Sequence, residues 1–179
     1  MDLQRLAATL SDAGGDAPLP VDRWHPSHCG EMDMVIKADG SWWHEGVRIT
    51  RAPLIRLFSR VLRKDDDGHV LVTPVEKISI TVEDAPFLAV DFDETAAGFS
   101  FLTNVGDRVL LDAEHPICLR RSDVLGQRAP YILVRGRLEA RVDRPAYYRL
   151  VAALPEEDGQ LILKSAGARY ALDVETSDD

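Results

Sequence analysis

The chain has 179 residues, of which 45% are hydrophobic and 28% charged, and its formal net charge is −9. That length suits one domain or two small ones; no apolar run is long enough to span a bilayer, and the start lacks the basic and apolar blocks of a signal peptide. The acidic balance argues against duplex nucleic acid, whose binding rests on Lys and Arg displacing counterions from phosphates, and the two cysteines, Cys29 and Cys118, imply no disulfide framework and fit a reducing cytoplasm.

In chain order, Leu3, Leu6, Ala7 and Leu10 recur at helical spacing, so residues 1–18 are expected to form a small amphipathic helix ending at Gly14-Gly15. The proline-rich "DAPLPVDRWHPSHCGE" reads as an ordered loop or extended wrap. Met32, Met34 and Ile36 then alternate against Asp33, Val35 and Lys37, and the Asp39-Gly40 turn signal makes "MDMVIKADGSWWHEGVRI" a hairpin. Leu54, Leu57, Phe58, Val61 and Leu62 predict a helix over 51–63 with Thr50 as N-cap and Pro53 in the first turn. From "HVLVT" onward the period drops to two. "EKISITVED", "FLAVDFD", "FSFLT", "RVLLD" and "PYILVRGRLEARV" are expected strands, "RPAYYRLVAAL" a helix capped by Asp143, and "QLILK" and "RYALDV" two closing strands.

The acidic turns "KDDDGHVLV" and "PEEDGQLIL" look alike. Neither is a calcium loop, because counting back from Gly68 and Gly159 puts Arg63 and Leu154 where the first ligand would stand. They are hairpin ends in which Gly accepts a positive φ. Laying Thr50 over Asp143 brings Arg51 onto Arg144, Arg56 onto Arg149 and Leu57 onto Leu150, so strand, helix, acidic turn and strand occur twice in one order. The expectation is an α+β fold of two related strand-helix-hairpin halves, an internal duplication with mainly antiparallel sheets, divided as 19–95 and 96–175 with 176–179 a disordered tail.

Chemistry is less legible. His25, His28, Cys29 and His44 could in principle hold zinc, but their spacing matches no usual ligand pair. A Cys29 hydrolase would need a base to form its thiolate, which sequence adjacency does not supply. No P-loop, nucleophile elbow or dinucleotide fingerprint is present, and no catalytic residue, cofactor or metal is assigned. Alternation along "YILVRGRLEAR" puts Arg135, Arg137 and Arg141 on one face, a positive stripe that can take phosphate or carboxylate through paired hydrogen bonds. Around Pro74, where a strand must bend, Thr73, Glu76 and Lys77 could face a ligand.

The stretches "WHPSHCGEMDMVIKADGSWWHEGVRITR", "LIRLFSRVLR", "LVTPVEKISITVEDAPF" and "VRGRLEARVDRPAYYRLV" resemble the bacterial family known as domain of unknown function 1285. The likeness is strong over residues 19–92 and continues through nearly the whole chain. It implies a duplicated α+β fold whose C-terminal half has a pleckstrin-homology-like appearance. It also implies a groove between the halves that takes a nucleotide-like ligand, a signalling role, and no established enzymatic activity. The family's "G-x-W" hairpin falls on Trp43 or His44. The expected function is therefore binding of a small anionic, nucleotide-like ligand in that cleft by Trp43, His44, Arg51, Thr73, Glu76, Lys77, Arg135 and Arg137. The alternatives are a protein-interaction module exposing an apolar patch at Trp42 and Trp43, and a Cys-dependent hydrolase. No membrane partner is expected, and a homodimer is left open.

Overall fold

The computed structural model describes Ala8 and residues 19–172, except the Cys29 side chain. The expected N-terminal helix and the acidic tail therefore lie outside the described residues, apart from the helical Ala8. Contacts divide the chain into two compact units between Glu83 and Asp84. The strand that begins at Phe87 pairs wholly within the second unit, so the division falls earlier in the chain than 95/96.

A single 3-10 turn, Val21–Arg23, leads into the first unit. Its strands are β1 (His28–Ile36), β2 (Trp42–His44), β3 (Val47–Ile49), β4 (Leu62–Asp65), β5 (Gly68–Val72) and β6 (Lys77–Val82), with α1 (Ala52–Arg60) between β3 and β4. They form one sheet in the order β3-β2-β1-β6-β5-β4. β1 and β6 run parallel, and the other neighbours are antiparallel. The alternation expected in the first hairpin holds: Met32, Met34 and Ile36 are buried on one face, joined by Trp42, Phe58, Leu62, Leu71 and Ile78. Each such side chain contributes about 1.5–3 kcal/mol by leaving water.

The helix is shorter than 51–63 and is not capped by Thr50. Arg51 is the N-cap and makes no side-chain cap bond, and Pro lies in the first turn, where its missing N–H costs nothing. Val61 and Leu62 are fully buried as expected, but Leu62 already pairs with Leu71 across the β4-β5 hairpin. Apolar residues at a helix end satisfy the core equally well from a strand, and here the hairpin takes them.

The second unit holds β7 (Phe87–Thr95), β8 (Gly98–Thr103), β9 (Arg108–Leu110), β10 (Ile117–Ser122), β11 (Gln127–Arg135) and β12 (Leu138–Val142), in sheet order β10-β11-β12-β7-β8-β9. α2 (Arg144–Ala153) follows, then a three-stranded sheet of β13 (Glu156–Glu157), β14 (Gln160–Ser165) and β15 (Ala168–Leu172). Asp143 caps α2 as expected, its Oδ1 accepting from the Ala146 N–H at 2.8 Å. "PYILVRGRLEARV" is two strands rather than one. Arg135 pairs with Leu138 across Gly136 and Arg137, and Gly136 takes φ 53°. The pairing shifts by one residue between Leu133 and Arg135, and that bulge beside the turn keeps Ile132, Val134, Leu138 and Ala140 in one unbroken alternation, so the period alone did not reveal the turn.

The chain is thus α+β with two related halves. The order strand, helix, hairpin, strand is present from β3 to β6 and again from β12 to β15. The two six-stranded sheets are themselves alike on another correspondence. In each, three strands step from the centre to one edge, three return from the other edge, and the first and last meet as the parallel pair, β1 with β6 and β12 with β7. Both acidic turns are hairpin ends, Asp65 pairing with Gly68 and Glu157 with Gln160. Asp158 and Gly159 both take positive φ, as a two-residue hairpin turn requires.

Candidate functional site

Val35, Trp43 and Arg48 stand directly opposite one another on β1, β2 and β3, so they share the sheet face turned away from the Met34 and Ile36 core. Trp43 is half-buried and Arg48 exposed. Lys37, two residues beyond Val35, places its Nζ 4.0 Å from the centroid of the Trp43 ring. Such a cation over an indole face is worth about 0.5–1 kcal/mol where water reaches it. The Trp43 Nε1–H donates to Ser41 Oγ at 2.8 Å, and the Ser41 hydroxyl and N–H both donate to Asp39 Oδ1. Those bonds from Ser41, ahead of the charges of Arg48 and Lys37, hold the Asp39 carboxyl below its ordinary range. An aromatic ring fixed by a hydrogen-bond relay, with two cations around it, can hold a planar group and an anion together.

The other expected site residues lie in several places. His44 follows Trp43 on β2 and its Nδ1 donates to the Asp33 carbonyl at 3.0 Å. Arg51 is exposed at the head of α1. Thr73 is buried and shapes the bend at Pro74: its Oγ1 accepts from the N–H groups of Val75 and Glu76, while its own N–H donates to the Glu76 carbonyl. Lys77 is committed to an ion cluster. Its Nζ lies 3.2 Å from Asp65 Oδ2, and Arg63 grips the same carboxylate through Nε at 2.6 Å and Nη2 at 3.0 Å. The Arg63 bonds, then Lys77, lower the Asp65 pKa against the opposing effect of burial. Arg63 also donates to the carbonyls of Val21 and Trp24, pinning the lead-in segment to β4.

In the second unit the arginines do not form a single stripe. Arg135 pairs with Asp107 and lies 4.9 Å from the Phe87 ring centroid; Arg137 is in the β11-β12 turn. Arg141 binds Asp84 Oδ2 at 2.8 Å, and Arg120 binds Glu139 at 2.9 Å while lying over the Tyr131 ring. Asp84 also accepts from the Tyr131 hydroxyl at 2.7 Å and the Ser122 hydroxyl at 3.1 Å. One buried carboxylate thereby ties β10, β11 and β12 together, a role sequence reasoning missed because its partners are 38 to 57 residues away.

Trp42 is fully buried, so the apolar patch expected at Trp42 and Trp43 is not formed by that ring. The Cys29 side chain lies outside the described part of the chain. Cys118 is exposed, and partial burial of its sulfur raises the thiol pKa, which keeps it protonated and a poor nucleophile. Among the described residues no three His, Cys, Asp or Glu side chains converge as a metal site, and no helix is long and apolar enough to cross a membrane.

Residues 19–85 match the family described as domain of unknown function (DUF1285), N-terminal domain, and residues 86–172 match protein of unknown function (DUF1285), C-terminal domain. The chain is similar to a DUF1285 family protein from Silicibacter pomeroyi DSS-3, with 40% identity over 93% of each chain and a TM-score of 0.85. It is also similar to one from Shewanella baltica OS155, with 28% identity over 68% of this chain and 91% of that one and a TM-score of 0.55. No curated protein matches the chain.

Proposed function

The chain belongs to the DUF1285 family, and from that premise we propose that it binds a small anionic ligand carrying a planar, nucleotide-like group, in a signalling rather than a catalytic role. The observation that carries this reading is the Trp43 arrangement. An anion approaching that ring meets the Lys37 ammonium held over it and the Arg48 guanidinium on the next strand. Asp39 feels the charges of both cations, but two bonds from Ser41 already occupy its carboxylate. The reading thus keeps Trp43 from the expected set and adds Lys37 and Arg48. It gives Thr73 and Lys77 structural duties at the Pro74 bend and the Asp65 cluster.

The test is calorimetric titration of a panel of nucleoside mono-, di- and triphosphates into the wild type, Arg48→Ala, Trp43→Leu and Arg135→Ala, with thermal melts of each. A charge-assisted hydrogen bond is worth roughly 1.5–3 kcal/mol, so Arg48→Ala should weaken binding about tenfold or more while the fold survives. Arg135→Ala should leave affinity unchanged, because Asp107 already takes that guanidinium. Loss of binding in Arg135→Ala but not in Arg48→Ala would move the site to the second unit. No binding of any nucleotide by the wild type would end the nucleotide reading.

A further inference from the structure

We propose that Lys37 gates the Trp43 ring, so that a planar ligand is admitted when it carries an anion and turned away when it is neutral. The gate rests on the ligand reading of that ring, and assigns to Lys37 the choice between a nucleotide and its neutral nucleoside.

Lys37 Nζ stands 4.0 Å from the centroid of the Trp43 ring. A stacked base brings its atoms to about 3.5–4.0 Å from those beneath it, so ammonium and base cannot share that face. One of the ring and the ammonium must give way. Trp43 stands opposite Val35 and Arg48 on its two flanking strands, and its Nε1–H is bound to Ser41 Oγ at 2.8 Å. Ser41 is buried, and its hydroxyl and N–H both donate to Asp39 Oδ1, so the ring is held at its edge. The Lys37 backbone is held as well. Its N–H donates to the Ser41 carbonyl and its own carbonyl accepts from the Gly40 N–H, both at 2.9 Å. What can move is the flexible four-carbon stem of Lys37 with its ammonium. Asp39, the exposed carboxylate that feels this charge, already has its Oδ1 taken by Ser41.

The displacement treats two ligand classes differently. A neutral base that stacks here lifts the ammonium off the indole and leaves it only water, so the cation–π contact is lost outright. A nucleotide makes the same displacement but brings a phosphate, which the freed ammonium can follow and bind through a charge-assisted hydrogen bond. Arg48, exposed on the next strand about 4.8 Å away, supplies a second cation to the same phosphate. Losing the cation–π contact is equivalent to about a two- to fivefold factor in affinity, and gaining the hydrogen bond to roughly tenfold or more. The anion therefore outweighs the displacement, while a neutral ligand meets only its cost. Lys37 is a blocking group for one class and a binding group for the other, which is discrimination by a repulsive element as well as an attractive one.

The experiment titrates adenosine and adenosine 5′-monophosphate into the full chain as wild type, Lys37→Ala and Arg48→Ala. Binding is followed on the indole N–H resonance of Trp43, assigned with Trp43→Leu, and thermal melts check each fold. Lys37→Ala clears the face, so adenosine should bind about two- to fivefold tighter and the monophosphate more weakly, lowering the ratio of the two affinities about tenfold. Arg48→Ala should weaken the monophosphate and leave adenosine unchanged, which separates clearing the face from losing a cation. If Lys37→Ala is destabilised, Lys37→Gln replaces it: the uncharged amide holds the ring less tightly, and the same crossed change is expected. Adenosine affinity unchanged in Lys37→Ala, with the monophosphate still weakened in Arg48→Ala, would overturn the gate and leave the ligand reading standing. Inorganic phosphate binding as tightly as the monophosphate would also overturn the gate, since the ring would then take no part. No binding of the monophosphate by the wild type, or shifts confined away from Trp43, would overturn both.

Discussion

Replacing Asp84 by Ala should destabilise the second unit by about 3–5 kcal/mol, the cost of removing one partner from a buried ion pair. The Asp84 side chain is 4% exposed and that of Arg141 only 11%. The carboxylate accepts from Arg141 Nε at 2.8 Å, Tyr131 at 2.7 Å and Ser122 at 3.1 Å, and the last two residues have no measurable exposure. Truncation leaves a guanidinium without that counter-charge and two hydroxyls short of an acceptor, each unsatisfied group costing about 1–3 kcal/mol. The effect should be local to the second unit, and intrinsic probes can show this. All three tryptophans (Trp24, Trp42, Trp43) lie before the division at Glu83, and all four tyrosines (Tyr131, Tyr147, Tyr148, Tyr170) lie after it. Urea unfolding followed by tryptophan fluorescence reports the first unit, and amide exchange read by mass spectrometry on peptides from 84–172 reports the second. Asp84→Ala should lower protection in the second set, and Arg141→Met alone should do the same. The double variant should recover part of the loss, because no buried charge is then stranded. A cost below about 1 kcal/mol, or strictly additive single and double variants, would refute the argument that these groups act as one network.

Gly98→Ala should cost roughly 2–4 kcal/mol, because an added Cβ would lie 2.2 Å from Ser165 Oγ and 2.8 Å from the Ala166 nitrogen, at a φ of +131°. Denaturation midpoints will check it against Gly126→Ala, where nothing lies within 4 Å although φ is also positive. Ser165→Ala should cost about 1–3 kcal/mol by stranding the Phe99 N–H, 2.9 Å away, and the Leu111 carbonyl, 2.6 Å away; hydrogen exchange at Phe99 should quicken. Burial, with a smaller push from Lys64, lowers the His69 pKa from 6.5 to about 4, and its Nε2 has no hydrogen-bond partner. As pH falls from 6.5 to 4 the unfolded chain takes up this proton first. The first unit should therefore be fully stable with respect to His69 above pH 6.5 and lose stability toward pH 4, by at most about 3 kcal/mol and less where water reaches the ring. Urea titrations of wild type and His69→Gln across that range should diverge, and parallel pH dependences would contradict the burial argument.

Periodicity and turn chemistry alone determined much of the local structure. The Met32, Met34, Ile36 face, the strands from β5 to β9, the Asp143 cap and both acidic hairpin ends follow from neighbouring residues. Their causes are short-range: alternation, a side-chain oxygen three residues from an N–H, a glycine where φ is positive. The family, too, was legible in its long quoted stretches. Tertiary structure decided what depends on strand pairing. It ended the helix before Val61, which became its C-cap, and put Leu62 into a strand, because burial is satisfied either way and the pairing of Leu62 with Leu71 is not local. It divided "PYILVRGRLEARV" into a hairpin and so separated Arg135 from Arg141, and the alternation hid this because a one-residue register shift beside the turn leaves the period unbroken. It also chose the partners of each charge: Asp84 for Arg141, Asp107 for Arg135, Asp65 for Lys77, and Lys37 over Trp43. Sequence can count charges and assign them to faces. Which cation stays available to a ligand depends on which carboxylate the fold brings within hydrogen-bond reach, and only the paired strands fix that distance.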